Sequence, residues 1–284
     1  MESTAAPATK REVACPICDS AGSEAFAEVR GWRIARCNDC DFLFVNPRPT
    51  EAALLALYAG RGENPFTDPK FESFEDELPG LRSIVRRLRR WLPAGRLLEL
   101  GCGRGDLLRV AHEAGYEAEG CDLYGGNVPE CRGVSLHDGF LRDVAFPAGS
   151  FDAVVTRNTL EHLESPRVEL REIHRVLRAG GLLYVKVPNE AFEHGWRCRL
   201  AFGPAQMFDP PWHLNHFRPA SLARLLHSTG FDVLSWQTEI PTRSPVRRTQ
   251  LLRQAGYWAF ESLRLATGGT FFPKPVLVCI ARRR

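Results

Sequence analysis

The sequence predicts an α/β protein in which helices cover both sides of a parallel sheet, with a small metal-binding module in front of it. From Arg96 onward, short apolar runs alternate with segments of helical periodicity, the pattern of a parallel sheet. Ahead of them, two Cys-x-x-Cys pairs have the spacing of a zinc site. Hydrophobic residues make up 44% and charged residues 25% of the 284, which excludes wholesale disorder.

The first element, residues 1–48, is built around the cysteine pairs Cys15/Cys18 and Cys37/Cys40. Pairs separated by about 15–20 residues can give four thiolates to one tetrahedral Zn²⁺. The intervening segment alternates like a short hairpin, which would bring the second pair back to the first. Four protein ligands leave no position for substrate or water, so we expect a structural zinc module. Two redox pairs or free thiols are the alternative.

The second element, residues 49–95, is expected to be a helical linker or lid. A helix is predicted from Thr50 to Tyr58, and the stretch Gly60–Pro79, rich in glycine, proline and acidic residues, favours a linker or lid. Apolar residues then recur at helical spacing from Leu81 to Leu92. The arginines between Arg82 and Arg90 form the opposite face, which is either a solvated surface or a contact for an anionic partner.

The third element, residues 96–284, carries the alternating pattern. Strands are predicted at Arg96–Leu100, Glu117–Cys121, Val134–His137, Phe151–Thr156 and Gly181–Val187, with helices at Asp106–Ala114, Pro166–Leu177 and Pro219–Ser228. In such a sheet the ligand binds beyond the carboxyl ends of the strands, where the strand order reverses. Residues that follow the strands are therefore the candidates for a site.

A glycine-rich turn, Gly101 to Gly105, follows the first of these strands, with Glu99 two places before it. Its spacing differs from the G-x-G-x-x-G of dinucleotide sites, where helix amides meet a pyrophosphate. S-adenosylmethionine presents an ammonium, a carboxylate and a ribose instead. Glycines let the backbone approach these groups closely, and Glu99 can organise the ammonium. Asp122, after the next strand, would accept both ribose hydroxyls.

A set of linked motifs then identifies a family resemblance. The motifs are Leu98–Gly105, Cys121–Asp122, Phe146–Val155, Leu160–Leu163, Arg175–Leu183 and Val187–Asn189. With them the chain resembles the class I S-adenosylmethionine-dependent methyltransferases, especially the branch of the ubiquinone-biosynthesis O-methyltransferases. The resemblance covers about half of the chain and implies a Rossmann-like sheet of seven strands.

The resemblance also implies which residues touch the cofactor. It assigns direct contacts to Gly101 and Asp122, a backbone contact near Arg157, and an adenine pocket near Gly139 and Phe140, where the family often has an acidic residue. The full set of cofactor candidates is Glu99, Gly101, Gly103, Gly105, Asp122, Leu123, Gly139, Phe140 and Arg157.

The family's sheet ends in an antiparallel pair of strands, and the sequence allows one. Phe231–Gln237 and Pro275–Ala281 both have the composition of strands. An insertion at 242–270, with a helical stretch near Gln250–Leu265, separates them. Such an insertion either covers the substrate as a lid or simply packs on the fold.

Methyl transfer is an in-line displacement at a sulfonium-bound carbon, so the protein mainly aligns the nucleophile and excludes water. A hydroxyl or carbon nucleophile also needs a base, and histidine is the natural one near neutral pH. Glu161 and His162 follow the fourth strand. The ubiquinone-type enzymes have Glu-x-x-Glu-His here, an arrangement associated with a divalent metal, but Asn158 replaces the first Glu. A buried histidine that fixes the loop is the alternative for His162.

A second histidine cluster lies in Asp209–Phe217, just before a predicted helix. Its place is similar to the substrate loop of zinc-containing sugar C-methyltransferases, which also carry an N-terminal module with four cysteine ligands. His213 matches one of their two histidines, and Pro211 stands at the other position. His213 is therefore the first candidate for the base, and His216 is the second. The alternative for His213 is a structural role at the start of the following helix.

These observations predict an S-adenosylmethionine-dependent methyltransferase that acts on an oxygen, or a carbon, of a secondary metabolite, sugar or quinone-like acceptor. The alternatives are an RNA or protein methyltransferase and a non-catalytic zinc-ribbon interaction protein. A net charge of +3 is too small to indicate a nucleic-acid partner, and no apolar stretch is long enough to span a bilayer. Nine cysteines without an export signal favour reduced thiols, so we expect a cytoplasmic protein.

Overall fold

The computed structural model describes residues 9–59, 74–123, 133–189, 210–237, 262, 266 and 276–284. The strands are β1 (Lys10–Arg11), β2 (Ser23–Val29), β3 (Trp32–Cys37), β4 (Leu43–Val45), β5 (Arg48–Pro49), β6 (Gly95–Leu100), β7 (Tyr116–Asp122), β8 (Ser135–Asp138), β9 (Phe151–Arg157), β10 (Leu177–Pro188), β11 (Asn215–His216), β12 (Phe231–Gln237) and β13 (Val276–Arg283). The helices are α1 (Glu51–Ala59), α2 (Phe74–Arg89), α3 (Asp106–Glu113), α4 (Leu141–Val144), α5 (Pro166–Val176) and α6 (Pro219–Ser228).

The main sheet has seven strands in the order β12-β13-β10-β9-β6-β7-β8. Neighbours from β8 to β10 are parallel, whereas β13 is antiparallel to both β10 and β12. This is the Rossmann-like α/β sheet that the sequence predicted, with the expected antiparallel strands at one edge. The strand order reverses between β6 and β9, so the carboxyl ends of these two strands open onto a crevice.

Different helices cover the two faces of this sheet. Leu170 of α5 and Leu225 of α6 belong to one buried cluster with Leu98 of β6. Leu107 of α3 belongs to the cluster on the other face, with Leu97 of the same strand. Because both faces are covered, the strands are apolar on both sides, which explains their near-continuous hydrophobic runs.

Helix α2 begins earlier than the sequence predicted. The stretch Gly60–Pro79 was expected to be a linker or lid, but α2 already starts at Phe74 and contains Pro79. Phe74 and Leu78 continue the apolar stripe of Leu81 and pack against the same core. This packing outweighs the one backbone hydrogen bond that the proline removes. The acidic residues of the first turn also favour a helix N-terminus.

The N-terminal residues form a four-stranded sheet of order β11-β4-β3-β2. β2 and β3 make the hairpin that the alternation before the second cysteine pair predicted. The edge strand β11 comes from far along the chain, and its Asn215 pairs with Phe44 of β4. The ring centroids of Phe42 and Phe217 are 5.5 Å apart. The N-terminal sheet and the main sheet therefore share a buried core.

Some sequence predictions fall on residues outside the described ranges. The helix predicted at Gln250–Leu265 is one of them, although Ser262, and Ala266 beyond its end, are helical. Residues 60–73 of the expected linker and Asp209 of the second histidine cluster are others. Among the described helices, none combines the length and the apolar character that crossing a membrane requires.

Candidate functional site

A cleft of about 560 Å³ opens at the carboxyl ends of β6, β7 and β9. Its wall contains most of the residues that the sequence singled out: Gly101, Gly103, Asp122, Leu123, Gly139, Phe140, Arg157, His162 and His213. The remaining candidates for the cleft are not on its wall and are buried: Glu99, Gly105, Glu161 and His216. The fold thus brings seven of the nine cofactor candidates and two of the three candidate histidines to one cavity.

The glycine turn at the end of β6 requires glycine for a steric reason. Gly101 has a φ of +72°, and a Cβ at this position would collide with the side chain of Thr159. Thr159 in turn donates a hydrogen bond to the Leu100 carbonyl at 3.2 Å. The N–H of Gly103 donates to Oδ2 of Asp122 at 3.0 Å. The turn therefore presents its backbone to the cleft and fixes the carboxylate of Asp122 beside it.

Charged side chains gather at the glycine-turn end of the cleft. Arg157 donates from Nε to Oε1 of Glu99 at 3.0 Å, and its Nη1 lies 3.6 Å from Oε2 of Glu77. Arg104 reaches Oδ2 of Asp106 at 2.6 Å. Burial raises the pKa of Glu99 to about 7, although the charge of Arg157 opposes this shift. Both signs of charge are thus available to a zwitterionic ligand at this end.

Glu77 is a wall residue that the sequence did not single out. It lies in the part of α2 that was assigned to a linker. The helical spacing of Phe74, Leu78 and Leu81 was the pattern that could have found it. Glu99, by contrast, is fully buried against Arg157. Its effect on a ligand would therefore act through Arg157 or through the low-dielectric interior.

Helix α1 closes the other end of the cleft, near Phe140. The Arg142 guanidinium lies 4.1 Å from the centroid of the Phe140 ring and bonds the Glu51 carboxylate at 2.7 Å. This contact fastens the first turn of α1 beside the predicted adenine pocket. Leu54 and Leu55 of α1 then contribute apolar surface to the wall. The sequence predicted the helix but not its contribution to the site.

Two histidines on the cleft wall, His162 and His213, meet the buried Glu161. Nδ1 of His162 lies 2.9 Å from the Trp212 carbonyl, which can only accept, so this nitrogen carries the proton. The ring centroids of His162 and His213 are 4.8 Å apart, and Nε2 of His162 is 3.9 Å from Oε1 of Glu161. Ligand atoms of these three residues lie within 4.8 Å of one another. The set can move a proton or could hold a divalent cation. His216 lies apart in β11.

The four cysteines of the N-terminal module converge on one point, with all sulfurs within 4.8 Å of one another. Sγ of Cys15 is 3.6 Å from Cys40, and Sγ of Cys18 is 3.5 Å from Cys37. A Zn–S bond of about 2.3 Å places tetrahedral ligands roughly 3.8 Å apart, so the cluster fits zinc. These two contacts each join a cysteine of the first Cys-x-x-Cys pair to a cysteine of the second. A redox-active disulfide would instead join the two cysteines of one pair. Burial raises the pKa of Cys40 to about 11, and a bound cation would offset this cost.

Comparison with known proteins agrees with this fold. Residues 74–236 match the family described as Methyltransferase domain, which is more than half of the chain. The chain belongs to this methyltransferase family. The four-cysteine module lies ahead of the matched residues.

Relatives with curated names include a probable S-adenosylmethionine-dependent methyltransferase of Mycolicibacterium smegmatis, 32% identical over 146 residues, which are 49% of this chain and 53% of the relative. A ubiquinone biosynthesis O-methyltransferase of Xanthomonas axonopodis pv. citri is 35% identical over 161 residues, 50% of this chain and 64% of the relative. The chain thus spans about half to two thirds of the length of these two relatives.

Solved structures share the fold of this methyltransferase. The 1,6-didemethyltoxoflavin-N1-methyltransferase of Burkholderia thailandensis has a TM-score of 0.54 at 17% identity, covering 92% of this chain and 99% of that one. The [4+2]-cyclase SpnF has a TM-score of 0.50 at 20% identity, covering 82% of this chain and 92% of that one. At these identities the likeness shows the fold alone.

Proposed function

We propose that the protein transfers a methyl group from S-adenosylmethionine to an oxygen of a small-molecule acceptor, such as a secondary metabolite, sugar or quinone-like compound. The observation that carries this proposal is that Asp122 and the histidine pair His162/His213 line one cavity. Membership of the methyltransferase family supports the cofactor. The O-methyltransferase names of relatives that act in ubiquinone biosynthesis and on fatty acids support oxygen as the acceptor atom.

The cleft matches the cofactor group by group. Asp122, held by the glycine turn, would accept hydrogen bonds from the ribose hydroxyls. Arg104 and Arg157 would attract the carboxylate, and Glu77 between them would attract the ammonium. Phe140, beside α1, would pack against the adenine. The ribose contact of Asp122 was predicted from the residues and the adenine pocket from the family resemblance. The sequence assigned the ammonium to Glu99, whereas Glu77 comes from the structure.

The acceptor would enter between α1 and the histidine pair. This part of the wall combines Leu55, Leu163 and Trp212 with His162 and His213. Apolar walls with a few convergent polar groups fit a largely apolar acceptor that carries one reactive hydroxyl. The enclosure also excludes water, which would otherwise compete with the acceptor for the methyl group.

The bound cofactor supplies an electrophilic methyl carbon on a sulfonium, and this chain supplies alignment and a base. His213 would take the proton of the acceptor hydroxyl as the oxygen accepts the methyl group, and the cofactor would leave as a neutral thioether. His162, fixed by the Trp212 carbonyl and close to Glu161, would stabilise the charge that develops on His213 or relay its proton.

The base is tested by His213→Ala, with His227→Ala as a matched control on the exposed face of α6. Turnover is followed by mass spectrometry of methylated products from a panel of phenols, catechols, sugars and hydroxy acids. We expect the His213 variant to lose about 10²–10⁴-fold in turnover while its calorimetric affinity for S-adenosylhomocysteine is unchanged. Full turnover in His213→Ala would remove this residue as the base, and absence of cofactor binding in the native protein would contradict the whole proposal.

A macromolecular acceptor is the second candidate, because Arg82, Arg86 and Arg89 of α2 and the following Arg90 are all exposed. Such a face could dock RNA through its phosphates. Affinity for a short RNA would then fall steeply with salt, since each phosphate contact releases a counterion. Weak, nonspecific RNA binding at low salt, together with methylation of a small molecule, would favour the first candidate.

A further inference from the structure

The N-terminal sheet pairs directly with the segment that follows His213. Its edge strand β11 begins two residues after His213, and Asn215 and His216 pair with Phe44 and Leu43 of β4. The zinc module therefore contacts the segment that carries the candidate base. This contact does not depend on any residue of the cofactor-binding turn.

Arg48, at the start of β5, anchors this contact from inside the core. Its side chain is completely buried, and its guanidinium donates to three neutral oxygen acceptors. The Glu164 carboxylate is also close enough to favour its charge. Nη1 donates to the Glu164 carbonyl at 2.5 Å, Nε to the Val45 carbonyl at 3.3 Å, and Nη2 to Oδ1 of Asn215 at 3.4 Å. One cation thus ties the N-terminal sheet, the loop after β9 and β11 together.

Asn215 passes this restraint to the loop that carries His162. Its Nδ2 donates to the Leu163 carbonyl at 2.7 Å and to the Leu160 carbonyl at 3.2 Å. The backbone N–H groups of Leu214 and Asn215 both donate to the Glu161 carbonyl, at 2.8 and 3.1 Å. The loop of residues 160–164 and the segment 212–216 are consequently held as one unit.

We propose that Arg48 and Asn215 are positioning residues through which the N-terminal sheet holds His162 and His213 in register for proton transfer. This inference rests on the proposed function of the histidine pair. Desolvating a guanidinium is costly, and an apolar side chain would serve packing alone at least as well. A planar guanidinium that donates to three acceptors at once, in contrast, fixes the spacing of segments that come from distant parts of the sequence.

The network has a spectroscopic signature in His162. While the loop and Trp212 stay in register, the neutral ring carries its proton on Nδ1, the less common form for a free imidazole. Loosening the two loops would break the bond to the Trp212 carbonyl, and the proton would move largely to Nε2. ¹⁵N spectra of histidine-labelled protein distinguish these tautomers, and loss of the signals in His162→Gln assigns them.

The experiment compares two variants, Arg48→Met and the control Arg11→Met. In the native protein the Arg11 guanidinium pairs with the Glu164 side chain near the surface. We expect Arg48→Met to lose the Nδ1–H tautomer of His162, with affinity for S-adenosylhomocysteine within about twofold of the native value. Arg11→Met should keep the native spectrum. If Arg48→Met does not fold, Arg48→Lys replaces it in the experiment. Lysine retains the charge but cannot donate to three acceptors in one plane, so it should cause the same change to a smaller extent.

An unchanged tautomer in the folded Arg48 variants, or an equal loss of cofactor affinity, would overturn the inference, because Arg48 would then only support the fold. The outcome is independent of the proposed base. If the tautomer shifts as expected while His213→Ala retains full turnover, the positioning network stands and the assignment of the base fails.

Discussion

Asp122 is the residue on which the cofactor proposal depends most directly. Its carboxylate accepts the Gly103 N–H and faces the cleft. We predict that Asp122→Ala weakens binding of S-adenosylhomocysteine by about 1.5–3 kcal/mol for each charge-assisted hydrogen bond to the ribose, or roughly tenfold or more. Calorimetry measures this loss. Asp138→Ala, at the exposed end of the neighbouring strand, is the control and should bind normally. Equal affinities of the two variants would refute the ribose contact.

Glu99 gives a prediction about pH. Burial raises its pKa in the folded protein to about 7, from an ordinary value near 4.5. The neutral carboxyl is thus favoured by folding, so its contribution to stability is complete below about pH 4.5 and is lost as the pH rises through 7. Between about pH 5.5 and 8 the native protein should lose roughly 2 kcal/mol of unfolding free energy relative to Glu99→Gln. Parallel urea-denaturation curves for the two proteins across this range would contradict the raised pKa.

At the scale of single residues, the sequence predicted many of the residues that line the cleft but not its charge arrangement. The cofactor and catalytic roles of these residues stay predictions. The residues after strands, such as Asp122 and Arg157, could be identified because parallel strands place their ends at one edge. Glu77 was missed because Pro79 favoured a linker at this point, although the helical spacing of Phe74, Leu78 and Leu81 continues through it. The burial of Glu99 beneath Arg157 depends on rotamers and packing, which no spacing rule contains.

Among the elements, the cysteine module makes a separate prediction. The four sulfurs fit one tetrahedral ion, so metal analysis should find one zinc per chain. Cys15→Ser should lose the metal and, because metal binding contributes to the free energy of folding, should also unfold at a lower urea concentration than the native protein. Cys279→Ala, a buried cysteine of β13 outside the cluster, should keep the metal. A full complement of zinc in Cys15→Ser would contradict the four-thiolate site.

The regular elements could largely be predicted from sequence periodicity. The strands predicted at the start of the α/β body coincide with β6 to β9 to within one residue at each end, and α6 coincides with Pro219–Ser228. Strand β11 could not be predicted, because two residues carry no periodicity and the strand exists only by pairing with β4. The edge that joins the two sheets is therefore a tertiary feature, and the sequence contained no local pattern for it.

On the scale of the whole molecule, the N-terminal module is not independent of the methyltransferase sheet. The division into residues 1–48, 49–95 and 96–284 stays a prediction from sequence. The buried cluster that contains Cys15 and Phe42 also contains Phe217 and residues of β6 and β10. A small sheet buries little apolar surface by itself, and packing its apolar face against a larger domain adds to the buried surface that stabilises it. We therefore expect the zinc module and the cofactor cleft to unfold as one unit.

This cooperativity can be tested at Phe217, which is 1% exposed and packs against Phe42 across the two sheets. Phe217→Ala should cost about 3–5 kcal/mol of unfolding free energy, because it leaves a cavity in the shared core. In urea, zinc release to a chromogenic chelator and loss of near-ultraviolet circular dichroism should shift together to lower concentration. Val168→Ala, at an exposed position of α5, should leave both midpoints unchanged. If Phe217→Ala released zinc well before the main sheet unfolded, the two parts would be separate folding units, and the N-terminal sheet could not hold the histidine pair as proposed.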